Sequence, residues 1–311
     1  MGKYCFGVDI GGTTIKMGLF TAEGELLDKW EIPTRRENGG EKVPQDIADA
    51  IAGKCTEKNI EKTDITGVGI GVPGPVRSDG TVMKCANLGW GIFNVNEKMS
   101  ELTGLKCQAL NDANAAALGE LWRGSGKGFK NLVFITLDTG VGGGIVIDGK
   151  IIAGIHGGGG EIGHIVVNPK EDAICGCGGH GHLEQYASAT GIVRLAKKGL
   201  ENKAVETVLR GKENLTCEDI FDAAKNGDAF ANELVDTMCS YLALALSGVA
   251  ATCDPEAYVI GGGVSKAGDI ITDTVKKHFY SNNMNVLTQS EFRLASLGND
   301  AGIYGAAYMT I

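Results

Sequence analysis

The feature that most limits what this chain can fold into is a pattern that occurs twice. "FGVDIGGTTIKMGLFTAEGEL" at 6–26 and "FITLDTGVGGGIVIDGKII" at 134–152 share one shape. Each has an apolar strand, a turn of the form Asp-x-Gly, a returning strand, and a small turn with a further strand behind it. Asp9 falls where Asp138 does, and Gly11 where Gly140 does. Such similarity between halves predicts duplicated lobes that face each other.

Apolar periodicity fills in the surroundings. Tyr4–Asp9, Ile15–Phe20 and Glu25–Ile32 read as three strands separated by turn residues. Val43, Ile47, Ile51 and Cys55 recur every four residues and predict an amphipathic helix. Ile65–Gly71 is a buried-strand pattern; Ala113–Trp122 is an alanine-rich helix with Asn111 or Asp112 available as its cap. Phe230, Leu234, Met238, Leu242, Ala245 and Val249 make a helical stripe, followed by a strand at Tyr258–Ile260 and a turn at Gly261–Gly263. Alternating helices and strands with no linker define an α/β chain of closely packed lobes.

Composition excludes several classes. A net charge of −9 without a basic stripe argues against nucleic-acid binding by phosphate neutralisation. The opening MGKYCFGVDI lacks the layout of a signal peptide, and Phe6 removes the hydroxyl residue that myristoylation needs. The longest low-polarity run, Tyr241–Cys253, is expected to be too short for a bilayer. The cysteines number nine, and most sit singly among apolar residues, which predicts reduced thiols in a cytoplasmic protein. Glycine, at 48 residues, gathers in bursts after apolar runs, as where backbone approaches a ligand.

The turns carry chemistry. Asp-x-Gly-Gly-Thr-Thr leaves N–H groups and hydroxyls for anionic oxygens, and Asp9 beside phosphates would need Mg²⁺ between them. An ordinary glycine hairpin is the competing account of either turn alone. No P-loop is present, since Gly126-Lys127 is followed by Gly128, and no Gly-x-Gly-x-x-Gly opens a helix after a strand. Asp112 is either a helix cap or, at a strand end, a base for a substrate hydroxyl. Asn87, Asn111, Glu161 and Glu184 suit sugar hydroxyls, or are solvated surface residues. His164, Cys175, Cys177 and His182 offer two nitrogen and two sulfur donors, a set that suits tetrahedral Zn²⁺; a mobile, oxidisable glycine loop is the alternative.

Taken in order, the Asp9–Lys16 turn, "GVPGPV", "NLGW", "NDANAAALGE", "TGVGGG", "GEIGH", "CGCG", "HLEQYASATG" and "VIGGGVS" resemble the ROK family of sugar kinases. The resemblance runs from about Gly7 to Ile303, and "NLGW" and "LEQYASATG" are most similar to its bacterial glucokinases. ROK repressors carry an N-terminal DNA-binding helical domain, whereas the first strand here is expected from Tyr4. The resemblance implies an actin-like ATPase fold: two ribonuclease H-like α/β lobes with ATP and sugar in a central cleft. A small lobe of 1–112 plus 297–311 and a large lobe of 113–296 are expected. It further implies that Gly12, Thr13, Thr14 and Lys16 form the first phosphate loop, with Asp9 acting through Mg²⁺. Thr139 and Gly140 would form the second loop, and Gly262 would lie by the adenosine. Asp112 would be the base for the glucose 6-hydroxyl, while Asn87, Asn111, Asp112, Glu161, His164 and Glu184 would hold the sugar. His164 would also share a structural zinc with Cys175, Cys177 and His182.

Two residues depart from the family's pattern. His182 stands where a third cysteine is usual, which leaves it a ligand of the same metal, with His180 the next candidate. Asp138 stands where a glycine is usual, either beside a Mg²⁺-bound water or toward solvent. The expected function is an ATP-dependent glucokinase acting as a dimer or tetramer on small molecules, with no membrane or nucleic-acid partner. Alternatives are a ROK kinase for N-acetylmannosamine, N-acetylglucosamine, mannose or fructose, or a sugar sensor that does not catalyse. The donor could be ATP or polyphosphate.

Overall fold

The computed structural model describes residues 2–83, 85 and 87–311. β1 (Tyr4–Ile10), β2 (Thr14–Thr21) and β3 (Leu26–Pro33) open the chain, followed by the short α1 (Glu37–Gly40), α2 (Val43–Lys58) and β4 (Ile65–Val72). A small hairpin of β5 (Thr81–Val82) and β6 (Phe93–Asn94) leads to α3 (Val95–Thr103), β7 (Cys107–Asn111) and α4 (Asp112–Arg123). Next come β8 (Leu132–Leu137), β9 (Val141–Ile147) and β10 (Lys150–Ile151). They are followed by α5 (Glu184–Ala187), α6 (Ala189–Leu200), α7 (Cys217–Lys225) and α8 (Ala229–Cys253). β11 (Ala257–Gly261), α9 (Asp269–Asn282), β12 (Glu291–Leu294) and α10 (Ala301–Tyr308) complete it.

The duplicated pattern becomes a duplicated topology. One sheet has the order β3-β2-β1-β4-β7 and the other β10-β9-β8-β11-β12. In the first, β1, β2 and β3 are antiparallel, and β4 and β7 join β1 as parallel strands. In the second, β9 and β10 are antiparallel, and β11 and β12 join β8 as parallel strands. The chain divides into two compact units, residues 1–130, 144–160 and 297–311, and residues 131–143 and 161–296. Residues 113–130 go with the first unit, in which α4 packs chiefly on α10.

In the first unit, one face of the sheet buries Phe6, Val8, Ile15, Met17 and Ile70 against Ile47 and Ile51 of α2 and Met99 of α3. The other face lies against α10 at very short range. A Cβ on Gly7 would come within 1.9 Å of the Ile303 carbonyl oxygen, and one on Gly69 within 1.7 Å of that of Ala306. α10 meets α4 as tightly, since a Cβ on Gly305 would stand 1.7 Å from the Ala115 carbonyl oxygen. Asn111 is the cap of α4, its side-chain oxygen accepting from the Asn114 N–H at 3.1 Å, so Asp112 is the first helical residue.

In the second unit, α8 is the central helix, with α5, α6, α7 and α9 packed on it. The low-polarity run expected to be too short for a bilayer is the second half of this helix. At 25 residues α8 is long and apolar enough to cross a membrane, yet Leu234, Met238, Leu242, Leu246 and Val249 are buried in this packing. It is a core helix whose first half carries enough polar residues to hide its length. Fully buried Tyr258 of β11 stacks on Phe292 at 4.9 Å and meets Phe279 of α9 edge-on at 5.4 Å. All nine cysteines are free thiols. Burial pushes Cys5 up to about 11 and Cys239 up to about 12, which keeps both protonated.

The α4–α10 crossing yields a direct expectation. Gly305→Ala adds one methyl where a carbonyl already stands, so the first unit should lose on the order of 1–3 kcal/mol. Urea unfolding followed by the fluorescence of Trp30, Trp90 and Trp122, all in the first unit, should shift to lower denaturant. An unchanged midpoint would mean that the two helices can separate without loss.

Candidate active site

The first unit presents two carboxylates and a cation. Asp9 stands near the end of β1, in register with Lys16 on β2. α10 covers it closely, and a Cβ on Gly302 would come within 2.7 Å of its carboxyl carbon. Burial, then the negative charge of Asp112, pushes Asp9 up to about 6, while Lys16 acts in the opposite sense. The Lys16 ammonium donates to the Asn299 carbonyl at 3.0 Å. Between β1 and β2, Gly12 and Thr13 are exposed, and the space a Gly12 side chain would take is open. The turn is closed by the Gly11 N–H donating to the Thr14 carbonyl at 3.0 Å. Thr34 buttresses it, its hydroxyl donating to the Gly11 carbonyl at 2.7 Å and its N–H to the Thr13 carbonyl at 2.9 Å.

The strand-to-helix junction places Asp112 half-buried, one oxygen accepting its neighbour Ala113 N–H at 2.8 Å. Asn111 spends both ends of its amide on structure, capping α4 and donating to the Gly74 carbonyl at 3.2 Å. Asn87 is exposed on a turn.

The second unit holds the other turn. The Asp138 N–H donates to the Gly140 carbonyl at 2.9 Å, and the Thr139 carbonyl accepts the Thr190 hydroxyl at 2.7 Å. Asp138 itself does structural work: its carboxylate accepts from the Thr139 N–H at 3.2 Å and the Gly263 N–H at 3.2 Å. It thereby welds this turn to the one containing Gly262, whose φ of +85° and 2.3 Å approach to the Leu137 carbonyl oxygen exclude a side chain. Beside Thr139 lies a solvent-open cavity of about 790 Å³, lined among others by Thr190, Val193, Arg194, Lys197 and Lys198.

The loop between Glu161 and Glu184 brings the predicted ligands together. Donor atoms of His164, Cys175, Cys177 and His182 lie within 4.8 Å of one another. The Cys177 sulfur is 3.2 Å from Nδ1 of His182, and the two imidazole rings meet edge-on at 5.3 Å. Nδ1 of His164 is buried without a hydrogen-bond partner, an orphan that a cation at this point would satisfy. Glycine makes room, since a Cβ on Gly179 would fall 2.6 Å from the His182 ring. The chemistry and spacing therefore fit zinc. His180 is exposed and lies outside this group.

The two glutamates flank the cluster. Glu161 approaches Nε2 of His164 at 4.0 Å. Glu184 accepts the Val141 N–H at 3.0 Å, just past the second turn, and its other oxygen faces the Cys175 sulfur at 3.7 Å. Sequence reasoning missed this bridge and the role of Asp138, because their partners lie 43 and 125 residues away.

A duplicated sheet whose hairpin turns each carry an Asp-x-Gly motif, with a half-buried carboxylate in one, is the architecture of the actin-like ATPase fold. The comparisons make the class specific. The ROK family profile matches residues 5–311. The glucokinase of Halalkalibacterium halodurans is 46% identical over 99% of this chain and 94% of its own. A ROK family glucokinase from Streptomyces griseus, solved with glucose and AMPPNP, is 34% identical with a TM-score of 0.75 over 98% of both chains. A ROK hexokinase from Thermus thermophilus is 30% identical with a TM-score of 0.81, covering 98% of this chain and 97% of its own. The chain belongs to the ROK family.

Asp9 gives this site a measurable signature. An acid whose pKa rises on folding is harder to ionise in the native state, so its ionisation weighs against folding. Moving from 3.8 to about 6 corresponds to roughly 3 kcal/mol, absent below pH 4 and fully present above pH 6. Asp9→Asn removes that ionisation, so the nucleotide-free variant should melt a few degrees higher than the parent at pH 7.5. The gain should vanish as the pH is lowered through 6 towards 4. Calorimetry across this range checks it, and a difference independent of pH would refute the cause.

Proposed function

We propose that the chain is an ATP-dependent glucokinase that transfers the γ-phosphoryl group to the 6-hydroxyl of glucose. The observation that carries this reading is the pairing of Asp9 with Asp112 in one unit, in a chain 46% identical to a glucokinase. A relative solved with glucose and AMPPNP supports the same substrates. Asp112 accepts the proton of the 6-hydroxyl as that oxygen attacks the γ-phosphorus, and the bond to the departing ADP oxygen breaks. Lys16 and the turn at Gly12, Thr13 and Thr14 hold phosphate oxygens, as do Thr139 and Gly140. Gly262 lies by the adenosine, and the cavity beside Thr139 has the room and the cationic rim for a nucleotide. Asp9 holds Mg²⁺, which supplies charge neutralisation when bound. Positioning and charge account for most of such a transfer.

Asn87, Asn111, Glu161, His164 and Glu184 grip the sugar. In this reading His164, Cys175, Cys177 and His182 hold one structural zinc, which fixes the loop carrying Glu161 and Glu184. The two units are the working lobes, and the enzyme acts in the cytoplasm, in keeping with its free thiols. It assembles as a dimer or tetramer, a reading supported by exposed Leu244, Tyr280, Met284 and Val286 in the second unit.

A coupled assay across a sugar panel tests the substrate and the base together. Glucose should give the highest kcat/KM, with mannose or glucosamine behind and N-acetylated sugars poorest. Asp112→Asn should lower kcat on the order of 10²–10⁴-fold with glucose affinity nearly intact. An N-acetylhexosamine at the head of the panel would overturn the glucose assignment, and a variant that keeps its turnover would reduce Asp112 to a helix residue.

The metal is tested by elemental analysis of protein purified without chelator. One zinc per chain is expected, lost in His182→Ala and retained more tightly in His182→Cys, because a third thiolate adds negative charge at the ion. Chelation should weaken glucose binding more than ATP binding. A parent without zinc, or an alanine variant that keeps it, would remove His182 from the ligand set.

A further inference from the structure

Between the ends of the proposed metal loop, the chain is pinned by groups that are not ligands. Glu171, with 11% of its side chain exposed, accepts the Tyr186 hydroxyl at 2.6 Å and Nη2 of Arg194 at 3.0 Å. Its other oxygen accepts the Ala173 N–H at 3.1 Å. The Tyr186 hydroxyl accepts in turn from Nδ2 of Asn168 at 2.8 Å, and its ring lies tilted against Tyr241 of α8 with centroids 4.1 Å apart. Arg194 also donates to the Gln185 carbonyl at 2.9 Å. Gln185 reaches both sides of the cluster, donating to the Ala173 carbonyl at 2.8 Å and accepting the His182 N–H at 3.1 Å. The segment from Asn168 to His182 is thus fastened to α5 by Gln185 and the Tyr186 hydroxyl, and to α5 and α6 together by the Glu171 carboxylate.

This arrangement answers a problem of entropy. Gly176, Gly178, Gly179 and Gly181 leave the segment little side chain to bury and much backbone freedom to lose. A carboxylate so largely withdrawn from water is costly unless its partners are in place, so it selects one arrangement of the loop. The Tyr186 hydroxyl first, then the Ala173 N–H and Arg194, hold the Glu171 carboxyl down to about 2. Burial, then Glu171, pushes the Tyr186 hydroxyl up to about 12. Acceptor and donor therefore keep their roles across the whole working range of pH.

We propose that Glu171 is a positioning residue for metal and sugar capture: held by Tyr186 and Arg194, it pre-orders residues 168–182 before any ion or sugar arrives. The proposal rests on the reading above that this loop serves both. It implies that part of the loop's order belongs to the chain and survives removal of the metal.

Hydrogen exchange of the full-length, chelator-treated protein tests that directly. The parent should keep the amides of Val167, Asn168 and Ala173 protected, each of which donates within the loop. Glu171→Gln should speed exchange across 165–183 on the order of tenfold or more and leave peptides of β8 and α8 unchanged. Tyr186→Phe, which keeps the Arg194 contact, should give a smaller effect in the same peptides. Zn²⁺ retention against a chromophoric chelator should weaken on the order of tenfold in Glu171→Gln. The KM for glucose should rise by a similar factor, with the KM for ATP and kcat within about twofold. Exchange and zinc retention equal to the parent's would overturn the proposal. So would faster exchange throughout the second unit with both KM values rising together, the mark of a general structural prop. The exchange and zinc readings hold whatever sugar heads the panel, so failure of the glucose assignment is distinguishable from failure of this one.

Discussion

The first unit depends on how closely α10 can lie against β1, β4 and α4. Three glycines, at 7, 69 and 305, bring backbone to within a bond length or so of where a side chain would have to be. That closeness does more than pack. It places Gly302 over the carboxyl of Asp9, so the lid on this half-buried acid is a helix backbone with no side chain between. The same helix fixes α4 through Gly119 and Gly305, and α4 begins at Asp112. Two acidic residues are thereby set on one frame, near enough for the charge of Asp112 to oppose the ionisation of Asp9.

Such a frame is unfavourable on its own terms. Asp9 sits where burial and a neighbouring carboxylate both resist its ionisation, and Lys16 offsets only part of this. A chain selected for stability alone would replace the carboxylate by an amide or an apolar group. Keeping it makes sense where a cation arrives with the substrate and removes the repulsion. The strain in this frame thus marks the place where the reaction uses charge.

How much of this was legible follows from the distance between partners. The two hairpins were readable because each is local, and their shared pattern pointed to a duplication, which the two sheets display. The cap of α4 was narrowed to Asn111 or Asp112 by composition, and only the Asn114 contact separates them. The four metal-type ligands were visible because three of them fall within eight residues and no apolar pattern competes for them. Asp138, Glu171 and Glu184 were opaque in their structural roles. Each looks like a surface carboxylate in sequence, and each owes its burial or its bonds to partners 15 to 125 residues away. The length of α8 was hidden for another reason: hydropathy along the chain reports composition, while the buried stripe of a core helix needs only every third or fourth residue.

These long-range carboxylates share a purpose. The second unit must hold the Asp-Thr-Gly turn at 138–140, a glycine turn at 261–263 and a glycine-rich loop at 176–181, none of which carries enough apolar surface to fix itself. Asp138 joins the first two, Glu184 joins the first to the cysteine cluster, and Glu171 joins the loop to α5 and α6. In each case a charged acceptor takes backbone N–H groups or a directional side-chain donor, an interaction about twice as strong as its neutral counterpart. A hydrophobic clamp would have needed larger side chains where the turns must stay open to ligand. Charged staples set the geometry while leaving the turns thin, and they do so up to the edge of the His164, Cys175, Cys177 and His182 cluster.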